Sequence, residues 1–351
     1  MENKLNDISY IKNTDKSNMA AHITNLPKQI QETLKKAEEV NLPQKYHTFD
    51  NVCIVGMGGS GSAADILFNQ KLSDIKKPLA LVREMNLPGW VDDNTLVILL
   101  SHSGQTKETL ESFKDAAARE SKIIIIAERG KLEEMGEVEG ATIYDYDTDA
   151  TPRASLGYQL GFLIYLNNEL QLTEQIEIEP ALQKMFSLNE ELKLESPVEE
   201  NLAKHLAFTS FDHESIILAS GILKSVARRF KNQLSENAKT FSCFDVLPEA
   251  MHNSIEGTSF PSRGRDDNMY FLLRNDFDEP YISSRFDVWA SMLDEKNIQY
   301  EIVQAQGDDT WTQKLSTVLL VDWTSYYLAI LNNMDPTPVP TITKCKEKLD
   351  G

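Results

Sequence analysis

The sequence predicts an α/β fold made of two three-layer α/β/α domains, each on a mainly parallel sheet. Three observations lead there. Runs of Ile, Val and Leu too short for helices recur along the chain. Stretches with apolar residues every three or four positions lie between them. The alternation occurs twice within 351 residues, a length that suits two domains. The expected division is a first domain over 1–170, an acidic helical connector over 171–200 and a second domain over 201–351.

In chain order, the runs at 51–55, 79–82, 95–100 and 122–127 read as buried parallel strands. Helices are expected at 63–71, after a Gly/Ser turn, and at 107–120, where Leu110, Phe113 and Ala117 recur at helical spacing. The second series gives a strand at 215–219, a helix at 224–239, strands at 240–246 and 269–273, a helix at 284–297 and a strand at 299–303. Residues 53–67 and 216–230 both read as strand, small-residue turn and helix, which suggests a duplicated topology. Between the halves, 169–200 is acid-rich and carries Pro180 and Pro197, so a solvated connector is expected. The apolar helix at 311–333 is expected to pack on both domains or on a partner chain.

Charge narrows the function classes. Lys and Arg number 35 against 54 Asp and Glu, a net charge of −19 that repels phosphate backbones and anionic lipid, so neither nucleic acid nor membrane is an expected partner. An anionic metabolite would then have to be held by local donors. Three scattered cysteines, Cys53, Cys243 and Cys345, fit reduced thiols. Residues 1–40 are polar and lack the apolar core of a signal peptide, which predicts a cytoplasmic protein.

Gly56-Met57-Gly58-Gly59-Ser60-Gly61 follows a strand and opens a helix, placing free backbone N–H groups at a positive helix end. The same spacing satisfies the dinucleotide fingerprint, with Glu84 about where a ribose-binding acid would stand, so a nicotinamide-dependent dehydrogenase is one reading. The next strand-to-helix turn, Ser101-His102-Ser103-Gly104-Gln105-Thr106, adds three hydroxyls at a strand's carboxyl end. A phosphate monoester can use them, because each terminal oxygen accepts from a hydroxyl or an amide. Either turn alone fits ordinary helix capping; the two together favour a phosphosugar site.

GMGGSGS and SHSGQT resemble the sugar isomerase (SIS) domain. Together with ATPRASLG at 150–157, NQLSENAK at 232–239, LPEAMHN at 247–253 and MDPTPVP at 334–340, they make the whole chain similar to the bifunctional phosphoglucose/phosphomannose isomerases. The resemblance implies two sugar-isomerase-type domains and a phosphate held by Gly59, Ser60, Ser101, Ser103 and Thr106. It departs at His102, where an aromatic is common, and at Gln105, where Asn is common. It further implies Glu236 as the base that shuttles a proton between C2 and C1, His252 as the ring-opening acid and Arg153 as the cation beside the enediolate. Thr337 would leave room for either C2 epimer, and Lys344 would assist ring opening.

A carboxylate and an imidazole suit those steps chemically. Away from their motifs, Glu236 would read as a solvated helix glutamate, His252 as a hydrogen-bonded structural histidine, Arg153 as a surface or ion-paired arginine and Lys344 as part of a basic tail. The expected function is therefore a metal- and cofactor-independent aldose–ketose isomerase acting on hexose 6-phosphates. The expected assembly is a homodimer in which His252 serves the neighbouring subunit's site. A non-catalytic phosphosugar sensor is the alternative from another class.

Overall fold

In the computed structural model, which describes residues 2–70 and 72–350, the chain forms two compact units. One is Asn25–Ile178; the other joins the residues up to Thr24 to those from Glu179 onward. The expected boundaries therefore move. The first two dozen residues, assigned to the first domain, belong with the second. The latter part of the expected solvated connector is the helix Glu179–Leu192, which buries Ala181, Leu182, Met185, Leu188 and Leu192 along one stripe under an acidic outer face. Of the expected elements, the helix end at Lys71 and the outer domain ends at Met1 and Gly351 lie outside the described residues.

In the unit Asn25–Ile178, β1 (Asn51–Gly56), β2 (Leu79–Val82), β3 (Thr95–Ser101), β4 (Lys122–Glu128) and β5 (Thr142–Tyr146) form one sheet in the order β2-β1-β3-β4-β5, every pair parallel. All seven residues of β3 are buried, as its unbroken apolar run requires of a central parallel strand. Cys53, Val55, Val97, Leu99, Ile123 and Ile125 pack with Phe113, Ala116 and Leu132 from the helices Lys107–Ala118 and Lys131–Glu139. The helices Gly58–Phe68 and Leu156–Leu170 also lie on this sheet. The helix Leu26–Glu39 covers Leu156–Leu170, where Gly157 lets the two backbones close: a Cβ there would sit 2.7 Å from Leu26 O. The strand β5 and the helices at 26–39, 131–139 and 156–170 add to the expected elements.

In the other unit β6 (Glu214–Ala219), β7 (Ser242–Val246), β8 (Asn268–Arg274) and β9 (Gln299–Gln304) are again all parallel, in the order β7-β6-β8-β9. That is the order of the first four strands of the other sheet, so the topology is duplicated, as the paired segments suggested. At the carboxyl end of β6 the hydroxyl of Ser220 is hydrogen-bonded to the Asp278 carboxylate, which also crowds Gly221. The helix Thr310–Leu331 starts on Asp309, whose carboxylate accepts from the amides of Trp311 and Thr312 at 2.9 Å each.

Every residue of that helix from Trp311 to Leu331 is buried, and the helices Glu179–Leu192, Leu202–Thr209 and Lys224–Gln233 of its own unit pack on it. The sequence expectation is that it packs on both domains or a partner chain; within its own unit it is the central helix. Such burial forces its charges to be matched: Asp322 receives Arg229 Nε at 2.9 Å and Gln233 Nε2 at 2.9 Å.

Lys314, fully buried on the same helix, has its ammonium pushed down to about 7 by burial, while the Trp311 ring 4.3 Å away favours the charge. Below that value the folded and unfolded chains both carry the proton. Between it and the ordinary 10.5, the unfolded chain binds more protons, so stability rises with pH. The Lys314→Met variant should lose this contribution, which is at most about 1.4 kcal/mol per pH unit. Urea unfolding of both proteins at about pH 7.5 and about pH 9 checks it; equal slopes would contradict the assignment.

Candidate active site

From β1 the chain crosses to β2 on one side, and from β3 to β4 on the other, which opens a crevice at the carboxyl ends of β1 and β3. Both glycine- and hydroxyl-rich turns emerge there. Gly58 at φ +51° and Gly104 at φ +60° supply the left-handed turns, and a Cβ on Gly104 would lie 2.9 Å from Glu128 O. The hydroxyls converge: Ser101 Oγ donates to Thr106 Oγ1 at 3.3 Å, and Ser103 Oγ lies 3.5 Å from the same atom.

Ser60, 4% exposed, accepts from the His102 backbone N–H at 3.1 Å and from Gln159 Nε2 at 3.0 Å. A hydroxyl has two lone pairs and one proton, so with both lone pairs engaged Ser60 is set up to donate. Gln159 also donates to the Tyr146 hydroxyl at 3.0 Å, which lies 3.4 Å from His102 Nδ1. Burial lowers the His102 pKa, against the raising effect of Glu128 3.8 Å from its Nε2. Burial raises that of Tyr146, so near neutral pH both stay uncharged. The polar groups gathered here are hydroxyls, backbone amides and a helix N-terminus.

Arg153 is buried in the short turn Pro152–Ala154, which is pressed against the first phosphate turn: a Cβ on Gly59 would sit 2.6 Å from Pro152 O and 3.1 Å from Arg153 N. From the other side, Gln29 donates to Ala154 O at 2.9 Å and accepts from Gly157 N at 3.1 Å. The structure thus brings Gly59, Ser60, Ser101, Ser103, Thr106 and Arg153 to one end of one sheet. Gln29 and Gln159, which hold this cluster, were not singled out by sequence reasoning. Their signal was available: each occupies a buried position of an amphipathic or apolar helix, where a polar residue needs a partner.

The remaining residues lie in the other unit. The expected helix over 224–239 is regular only over Lys224–Gln233; Leu234–Ala238 widens into a π turn, with half-buried Glu236 at its middle. Lys239 closes the turn at φ 57° and donates to Asn237 O, Asp335 O and Pro336 O at 3.0, 2.8 and 3.1 Å. Asn332 Nδ2 donates to Ala238 O at 2.9 Å. Thr337, whose N–H donates to Asp335 Oδ1 at 3.0 Å, follows directly in the same loop. Glu236 and Thr337 are therefore tied into one cluster, and Lys239, overlooked in the sequence, is what ties them.

His252 is exposed, in the turn Glu249–His252. Glu236 precedes β7 and His252 follows it, so the two flank opposite ends of that strand. Lys344 lies on the helix Pro340–Asp350, whose residues 341–349 are all exposed, and the structure does not bring it into the cluster of Glu236 and Thr337. Among the described residues no group of three or more His, Cys, Asp or Glu could hold a metal ion, and no helix is long and apolar enough to cross a membrane.

Residues 46–132 match the model of the SIS domain, and 199–349 that of the bacterial phospho-glucose isomerase C-terminal SIS domain. A bifunctional phosphoglucose/phosphomannose isomerase of Caldicellulosiruptor bescii is 34% identical over 94% of this chain and 98% of its own length. A protein of the same description from Aquifex aeolicus is 31% identical over 86% and 91%. A D-glucosamine-6-phosphate 4-epimerase of Sulfolobus acidocaldarius is 30% identical over 60% and 64%.

Among solved structures, a hypothetical protein from Thermus thermophilus aligns with TM-score 0.72 at 14% identity, covering 97% of this chain and 95% of that one. A glucose-6-phosphate isomerase like protein of the same organism aligns with TM-score 0.66 at 18% identity, covering 96% and 99%. These two carry the fold. The near full-length identity to the curated relatives carries the descent, and the chain belongs to the bifunctional phosphoglucose/phosphomannose isomerase family.

Proposed function

We propose that the protein interconverts fructose 6-phosphate with glucose 6-phosphate and mannose 6-phosphate through a cis-enediol. The observation that carries this reading is the Ser60 hydroxyl, its lone pairs engaged by the His102 amide and Gln159, beside the hydroxyls of Ser101, Ser103 and Thr106. A terminal phosphate is a compact group of acceptors and suits such a set. Gly59 supplies close backbone approach. The metabolite's own phosphate then anchors it, while Glu236, His252 and Arg153 act on carbons C1 and C2.

Starting from the aldose, His252 protonates the ring oxygen as its bond to C1 breaks, while the C1 hydroxyl gives up its proton and becomes the C1 carbonyl. Glu236 takes the proton from C2, the electron pair forms the C1–C2 double bond, and Arg153 balances the negative charge on the enediolate oxygen. The C2 hydroxyl proton passes to the C1 oxygen, Glu236 returns its proton to C1 and the carbonyl forms at C2. No net oxidation or reduction occurs. Rotation about C2–C3 lets one base serve both epimers, with Thr337 as the small neighbour that leaves room. Lys344 joins ring opening on the family resemblance. A non-catalytic sensor would need the phosphate turns and no base; the π turn that presents Glu236 favours the enzyme.

The position of Glu236 and His252 at opposite ends of β7, a strand about 13 Å long at 3.3 Å per residue, supports a two-fold dimer in which His252 serves the partner's site.

Three outcomes test these assignments. Glu236→Gln should bind fructose 6-phosphate as the parent does and lose turnover on both aldose phosphates in a coupled assay; near-normal turnover would remove Glu236 as base. Gly59→Ala should lower kcat/KM at least about tenfold, because the new Cβ must displace the Pro152–Arg153 backbone. Unchanged kinetics would separate that contact from the chemistry. Mixing Glu236→Gln with His252→Ala chains, with subunit exchange followed by two tags, should restore about a quarter of parental activity from half the sites of half the dimers. Exchange without recovery would place both groups in a site served by one chain.

A further inference from the structure

The π turn that carries Glu236 has to be held open. A helix passing from i→i−4 to wider hydrogen bonding gives up regular geometry, and here it ends on a non-glycine residue in the left-handed region. Lys239 is that residue, and its side chain folds back on the turn. An ammonium has three protons, and three carbonyl oxygens receive them: Asn237 O inside the turn, and Asp335 O and Pro336 O in the loop after the long helix. The backbone that follows Glu236 is thereby fastened to the backbone that precedes Thr337. Two further bonds brace the turn from behind, Asn237 Nδ2 to Ser325 Oγ at 3.0 Å and Asn332 Nδ2 to Ala238 O at 2.9 Å, but neither reaches the 335–337 loop.

We propose that Lys239 is a positioning residue for the isomerisation: its ammonium fixes the Glu236 carboxylate relative to the Thr337 loop, and so the distance over which the base meets the C2 and C1 hydrogens. This rests on the reading of Glu236 as the base. Lys239 acts in this scheme through the backbone on either side, at Asn237 O, Asp335 O and Pro336 O. Its contribution is to proton transfer, where a misplacement of about 1 Å can cost about a hundredfold in rate, and not to phosphate binding, which belongs to the other unit.

The experiment compares Lys239→Met, which keeps the stem and removes all three donors, with Lys239→Arg, which keeps charge and donors. Parent and variants are assayed with fructose 6-phosphate and with aldose substrate carrying hydrogen or deuterium at C2, each rate normalised to folded protein from circular dichroism. In Lys239→Met, kcat should fall by about ten- to a hundredfold with KM changed less than about threefold, and the deuterium isotope effect on kcat should rise as proton transfer becomes limiting. Lys239→Arg should recover part of kcat. A purely structural cap would lower the folded fraction while leaving kcat per folded molecule and the isotope effect unchanged, and that result overturns the proposal. Glu236→Gln serves as the control. If it retains turnover, the base assignment fails and takes the proposal with it. If it is inactive and Lys239→Met is normal, the proposal alone fails.

Discussion

Parallel pairing of β1 with β3, which sets Gly56 beside Leu100, is the constraint from which the phosphate-side geometry follows. Two neighbouring strands that end in step release their turns side by side, and their onward connections diverge to either side. The turns must then satisfy their own backbone, which explains why they are short, glycine-bearing and rich in hydroxyls. The same packing draws the Pro152–Ala154 turn against Gly59 and lets Gln159 reach Ser60. The hydroxyls at these turns are thus held in place by hydrogen bonds within the chain itself.

The second sheet repeats the strand order but not the chemistry. At the carboxyl end of β6, Ser220 is engaged by Asp278, a carboxylate where the first sheet offers open hydroxyls. Its functional candidates have moved to the flanks of β7: Glu236 on the approach, His252 on the exit. Within the repeated topology one unit presents neutral donors and the other presents groups able to move protons, and the difference lies in turns and helix ends rather than in the sheets.

Much of this was legible in the sequence because parallel strands must be continuously apolar and phosphate turns must be small and polar. Eight of β1 to β9 were expected, although β7 and β9 also carry polar residues; β5 escaped because Thr142-Ile143-Tyr144-Asp145-Tyr146 mixes polar and aromatic residues at the sheet edge. The helix Leu26–Glu39 was hidden in a stretch whose average is polar although Leu26, Ile30, Thr33 and Ala37 fall on one face. The π turn could not be read, since residues 224–238 have an ordinary helical composition and the widening depends on bonds from Lys239 to a loop some hundred residues later. Residues that hold the site by contacts distant in sequence, Gln29, Gln159 and Lys239, leave only a weak local trace.

The discontinuity of the second unit bears on how the chain is made. Tyr10 donates to Asn333 Oδ1 at 3.1 Å, and Leu5, Ile11, Met19 and Ile23 are buried in the unit whose central helix ends at Leu331. Synthesis runs from the amino end, so Asn25–Ile178 can complete its core while the rest is still being translated. Residues 5–23, by contrast, hold apolar side chains in a unit whose contacts reach some three hundred residues further along the chain, as between Tyr10 and Asn333. They stay uncovered until those residues have been made. The unit closes only after the buried helix Thr310–Leu331 has emerged.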